Sequence, residues 1–163
     1  MTLHQQQLET PIGVLTLVAS DVGLTMIRFE SEDPTEIDAT LDSSDPVLRA
    51  AAAQLGEYFA GDRREFDLPL DLEGTDFQKE AWLALADVPY GETTIYGEQA
   101  RAIGRPGAFR AVGAANGQNP VPIVLPCHRI VGADGSLTGF AGGLDTKQRL
   151  LVHEQNQQSL PGV

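Results

Sequence analysis

The 163-residue chain contains one cysteine, one tryptophan and two methionines, and only two of its eleven basic residues are lysines, Lys79 and Lys147. One cysteine excludes an internal disulfide and any metal site built from several thiolates. No apolar run approaches the roughly 20 residues of a membrane-spanning helix, so no membrane partner is expected. The first seven residues are polar and lack the apolar centre of a signal peptide. With a single cysteine, this pattern fits a reducing cytosol, and a cytoplasmic location is expected. Positive charge is also in short supply. The net charge is −12, a field that repels DNA as a whole.

That charge is unevenly spread. Residues 1–74 hold four arginines, no lysine and fifteen acids, a net −11. Residues 75–154 hold seven basic and eight acidic groups, a net −1. Within the second part, residues 99–133 carry Arg101, Arg105, Arg110 and Arg129 and no acid. Such a stretch forms either a solvated arginine face or a local surface that attracts DNA despite the global field.

Residues 13–19 and 24–29 are β-rich runs around the turn-like Ser20-Asp21-Val22-Gly23, a hairpin pattern. The acidic residues 31–45 read as a loop and a poor helix. Residues 47–59 read as a helix with Val47, Leu48, Ala51, Leu55, Tyr58 and Phe59 near one stripe. Phe66-Asp67-Leu68 suggests a short third strand. After a junction at 71–75, Thr75 and Gln78 have capping-box spacing and open a helix with Phe77, Ala81, Trp82 and Leu85 inward. Helices near 96–103 and 108–115, joined by Arg105-Pro106-Gly107, suggest a helix-turn-helix. An irregular Pro-rich loop over 119–126 leads to Cys127. Residues 130–131 read as extended, 132–143 as a glycine-rich loop, and 144–154 as a closing helix before a frayed polar tail.

The lone cysteine stands in Pro126-Cys127-His128-Arg129. A free cysteine is often a small buried hydrophobe. A nucleophilic one needs a base or a field that favours the thiolate, because an ordinary thiol is mostly protonated at neutral pH. His128 is the nearest base, but neighbouring side chains on an extended backbone point apart, so a bridging water or a bend is expected. A third group would fix the imidazole tautomer, and Asp134, Asp145 and Glu154 are all candidates. In Arg110-Ala111-Val112-Gly113-Ala114-Ala115 the residues after the arginine are nearly all small. A face of that kind suits close approach to a neighbouring helix or to the narrow groove of DNA, with the long cation as a wedge. A zinc deaminase is excluded because the second cysteine of Pro-Cys-x-x-Cys is Ile130. A cysteine hydrolase fits the thiol but leaves the helix-turn-helix and the arginines unexplained.

Taken in order, Phe77-Gln78, Trp82, Pro89-Tyr90-Gly91-Glu92-Thr93, Tyr96, Gly104-Arg105-Pro106, Arg110-Ala111-Val112-Gly113, Asn119-Pro120, Pro126-Cys127-His128-Arg129 and Gly139-Phe140-Ala141-Gly142-Gly143 form a specific set. The set resembles the O6-alkylguanine-DNA alkyltransferases, densely over residues 75–154 and weakly at Thr10-Pro11-Ile12-Gly13 and Gly23-Leu24. The resemblance implies an α/β fold: an N-terminal α/β scaffold domain with an antiparallel sheet over 1–74, a mostly helical, winged-helix-like C-terminal domain over 75–154, and a polar tail over 155–163. It implies a single-turnover transfer of an alkyl group from O6 of guanine, or from O4 of thymine, to Cys127. His128 and Glu154 would deprotonate the thiol, Asn119 would brace its loop, and Tyr96 would hydrogen-bond the guanine ring. Arg110 would replace the everted nucleotide, with Ala111 and Gly113 in the minor groove of double-stranded DNA and Arg105 and Arg129 as further contacts. Ile130, Phe140, Ala141 and Gly142 would border the base pocket. No cofactor and no metal are implied, and the protein is expected to act as a monomer.

Departures from the family pattern stand at Ile95, at Phe140 and Ala141, where pocket hydroxyls are common, and at Phe109, which is larger than the usual residue. An alkyltransferase-like lesion binder that lacks the cysteine is the nearest rival.

Overall fold

Strand β1 (His4–Thr10) turns at Pro11-Ile12 into β2 (Gly13–Ala19), and the pair runs antiparallel from His4 opposite Ala19 to Thr10 opposite Gly13. β3 (Leu24–Arg28) adds antiparallel to β2, and the short β4 (Thr40–Leu41) adds parallel to β1. The sheet order is therefore β3-β2-β1-β4. The structure is a computed structural model that describes residues 2–32 and 37–159, with side chains to 156. The chain divides into two compact units, Met1–Glu73 and Gly74–Val163.

In the first unit, helix α1 (Pro46–Phe59) packs on β1, β2 and β3. Asp45 caps it, one carboxylate oxygen accepting from the amides of Val47 and Leu48, and Pro46 opens the first turn, where no amide donor is needed. Leu48, Ala51, Leu55 and Tyr58 are fully buried at helical spacing, and Leu15, Leu17 and Ile27 of the sheet are buried in the same unit. Each buried leucine contributes about 1.5–3 kcal/mol.

The hairpin expected over residues 13–29 is β2–β3. Polar β1, which shows no apolar alternation, went unread in sequence although it lies inside the sheet. Two further expectations are corrected. Phe66-Asp67-Leu68 is not a strand, because the Gln54 side-chain amide takes both backbone groups of Asp67, at 2.9 Å each, in place of a neighbouring strand. Leu70 instead bridges Leu24. Of residues 31–45, positions 33–36 lie outside the described residues; the rest holds β4 and no helix.

In the second unit, Thr75 caps helix α2 (Asp76–Leu85) in a reciprocal capping box with Gln78. Gly74 precedes it because a β-carbon there would stand 2.7 Å from the Trp82 ring. Helices α3 (Tyr96–Ala102) and α4 (Phe109–Gly117) form the helix-turn-helix, with Gly104 at φ +74° in the connection. Three buried side chains lock the helices together. Trp82 Nε1 donates to the Ala115 carbonyl at 2.7 Å, Gln99 donates to the Ala81 carbonyl, and Gln99 and Asn116 exchange a reciprocal amide pair at 2.8–2.9 Å. β5 (Thr94–Ile95) pairs in parallel with β6 (Ile130–Val131). The closing helix α5 (Leu144–Ser159) runs past Glu154, so residues 155–159 are helical rather than a frayed tail, and 160–163 lie outside the described residues. Among the described residues no helix is long and apolar enough to cross a membrane.

Candidate active site around Cys127

Cys127 opens a 3-10 turn (Cys127–Arg129) at the end of the Pro-rich loop. The loop is tightly held. Asn119 donates to the Leu125 carbonyl at 2.8 Å and accepts from the Val121 amide, and the Cys127 amide donates to the Leu125 carbonyl. Buried Ile123 sits at φ +75°, a conformation that a β-branched residue adopts only when its surroundings impose it.

Cys127 is 8% exposed and borders a cavity of about 260 Å³. Tyr96 and α4, through Gly113, Asn116 and Gly117, form one side of this cavity. Asn119 and Pro122, and Gly139, Phe140 and Ala141, form the rest. Burial pushes the thiol up to about 11, against a hydrogen bond from Asn119 and the positive charge of Lys147. At rest the group is therefore a protonated thiol and needs a base.

The base lies behind it. His128 is fully buried and its Nε2 lies 2.7 Å from Glu154 Oε2. A carboxylate only accepts, so Nε2 carries the proton and Nδ1 keeps its lone pair. That Nδ1 is buried with no hydrogen-bond partner among the described residues, so Cys127 does not touch it directly. Glu154 is also fully buried. Arg129 donates from Nε to Oε1 at 2.8 Å and from Nη2 to Oε2 at 3.0 Å. Burial alone would raise the Glu154 carboxyl, but the bonds and charges of His128 and Arg129 outweigh it and hold it well below the carboxylate range. Burial lowers the His128 imidazole, and the charges of Arg129 and Lys147 add to this against the pull of Glu154. The group is thus a neutral imidazole with one open lone pair, oriented by an ion pair. Of the three candidate acids, Asp134 is exposed and bonded to Ser136, and Asp145 is exposed. Glu154 alone reaches the ring.

Arg129 corrects an expectation. It is 5% exposed, also donates to the Val88 carbonyl at 2.7 Å, and lies 5.5 Å from the Tyr90 ring centroid. It holds Glu154 in place and cannot contact DNA from there. The other arginines of the acid-free stretch are exposed. Arg101 pairs with Glu98, and Arg105 lies over the Phe77 ring with Glu80 at 3.7 Å. Arg110 and Ala111 stand exposed on α4, while Gly113 packs near the Tyr96 ring. The Phe140 and Ala141 departures border the cavity, but Ile130 and Gly142 do not; Ile130 is fully buried and paired with Thr94. Ile95 ends β5 at the start of α3.

Two residues were missed in sequence. The Tyr96 hydroxyl bonds the Thr138 hydroxyl, which also accepts from Lys147 Nζ at 3.3 Å. Lys147 is 1% exposed, and burial lowers its ammonium while nearby Cys127 raises it. A signal existed: Lys147, Leu150, Leu151 and Glu154 fall on one helical stripe, so the lysine sits at a core position.

Comparison with known proteins reaches the same place. The family model described as 6-O-methylguanine DNA methyltransferase, DNA binding domain, matches residues 76–156, and that of the ribonuclease-like domain matches residues 3–72. The chain belongs to the methylated-DNA–protein-cysteine methyltransferase family. It is 49% identical over 155 residues to the methyltransferase of Mycolicibacterium paratuberculosis, covering 94% of this chain and 93% of that one. Against the methyltransferase of Methanosarcina barkeri it is also 49% identical over 155 residues, covering 94% and 98%. Among solved structures, Mycobacterium tuberculosis OGT in complex with DNA superposes with a TM-score of 0.87 at 48% identity, covering 94% of each chain. Within this methyltransferase family, Cys127 is the single thiol of the present member.

Proposed function

We propose that this protein repairs DNA by moving a methyl or other alkyl group from O6 of guanine to the sulfur of Cys127, once per molecule. One observation carries the reading: the only thiol of the chain borders a cavity of about 260 Å³ beside Tyr96, with a neutral, ion-pair-oriented imidazole next to it in sequence. His128 Nδ1 accepts the thiol proton through a water, and Glu154, held in place by Arg129, stabilises the imidazolium that forms. The thiolate attacks the alkyl carbon in line. The carbon–O6 bond breaks and its electron pair passes to the guanine. Tyr96 donates a hydrogen bond to the base as that charge develops, and the Thr138–Lys147 line behind it makes the donor stronger. The product is a thioether that ordinary reductants do not reverse, hence a single turnover. Stacked DNA hides O6, so the nucleotide must be everted, and Arg110 on α4 takes its place from the minor groove. No cofactor is required, O4-alkylthymine is the second substrate of the same chemistry, and the protein acts as a cytoplasmic monomer.

Intact-mass measurement after incubation with duplex O6-methylguanine DNA tests the reading. One added methylene mass, absent in Cys127→Ser, is expected. Tight lesion binding without a mass change would mean a binder, and repeated turnover of an acyl substrate a hydrolase.

A further inference from the structure

Phe109 is the residue for which neither the fold nor the proposed chemistry accounts. It opens α4 and is 48% exposed, although an aromatic ring is among the side chains that gain most from burial. A single exposed apolar side chain is ordinary, but this one has a particular setting. Its ring centroid lies 5.9 Å from the Arg110 guanidinium carbon. Of the four arginines in the acid-free stretch, Arg110 is the one with no acidic partner among the described residues; the others reach Glu98, Glu80 and Glu154. The ring and the free cation thus stand side by side on a helix whose other exposed residues in these turns are Ala111, Ala114 and Gly117. Helical spacing puts Phe109 on the stripe of Gly113 and Asn116, both of which border the Cys127 cavity. From Phe109 to Gly113 the helix rises about 6 Å, close to two stacked-base spacings.

We propose that Phe109 is a second wedge: its ring enters the duplex beside Arg110 and covers the base step left open by the everted nucleotide. An everted base leaves two apolar faces without a stacking partner. One planar guanidinium fills the gap at one level, and an aromatic ring at the flanking step covers what it leaves exposed. The Phe109–Arg110 contact in the free protein holds the two side chains together, so they meet the groove as a unit.

This inference rests on the reading that the protein repairs duplex DNA, and the test separates the two. The full chain, Phe109→Ala and Phe109→Leu are each given O6-methylguanine in a duplex and in a short single strand, and methyl transfer is followed by intact mass. Phe109→Ala is expected to lose roughly tenfold or more on the duplex and far less on the single strand, where there is little stack to open. Phe109→Leu, which keeps an apolar wedge but not the cation contact, is expected to recover most of the duplex rate. Equal losses on the two substrates, or no loss on the duplex, overturn the wedge. A Leu variant as slow as the Ala variant also overturns it, leaving only a resting support for Arg110. If the unsubstituted chain alkylates on neither substrate, it is the repair reading that has failed.

Discussion

At the scale of single residues, the site separates making a thiolate from storing one. Burial keeps the Cys127 thiol protonated, so its reaction with iodoacetamide should still be climbing above the ordinary thiol value of 9.0. A rate that levels off well below that value would mean a thiolate at rest. Glu154 is fully buried against Arg129 and His128, and Glu154→Gln removes the counter-charge of a buried guanidinium. The loss should be about 3–5 kcal/mol of stability in urea unfolding, with alkyl transfer impaired as well. The same cluster sets an acid limit. His128 titrates lower in the folded chain than its ordinary 6.5, so below that pH the unfolded chain binds a proton that the native chain does not. Glu154 is also depressed, so its contribution is present above 4.5 and is lost as pH falls further. Urea midpoints should therefore drop from 6.5 downward and steepen below 4.5; a flat profile across this range contradicts the assignment.

At the scale of elements, the helix-turn-helix depends on a polar lock as much as on apolar packing. Gln99→Leu leaves the buried Asn116 amide without its partner and should cost about 1–3 kcal/mol. Replacing both residues by leucine should cost less than the two single changes added together, as a double-mutant cycle in thermal unfolding would show. On α4, Arg110→Ala should slow repair of duplex DNA far more than reaction with the free base, since only the duplex must be opened. Equal losses would remove Arg110 from base eversion.

At the scale of the whole molecule, charge constrains how DNA is held. The net −12 opposes approach, and three of the four arginines in the acid-free stretch are drawn toward carboxylates. Few phosphate contacts remain available. With roughly 2–3 of them, the slope of log affinity against log salt should be only about −2 to −3. Fluorescence anisotropy titrations would measure it, and a slope near −6 or steeper would point to a basic surface elsewhere.

Sequence alone determined the parts that depend on local chemistry. These include the capping box at Thr75, the stripes of α1 and α2, the Gly-containing turn between α3 and α4, and the ordered motifs around Cys127 that mark the family. It did not reveal β1, whose polar residues carry no alternation and which is a strand only because β2 and β4 pair with its backbone. Nor could residue spacing separate Glu154 from Asp134 and Asp145, a choice that only the family resemblance made, or tell that Arg129 turns inward while Arg110 does not. Charge type and spacing are properties of the chain. Which carboxylate a guanidinium or an imidazole meets across 25 or 26 residues is decided when α5 packs on the cysteine turn, since burial forces each buried charge to find its partner.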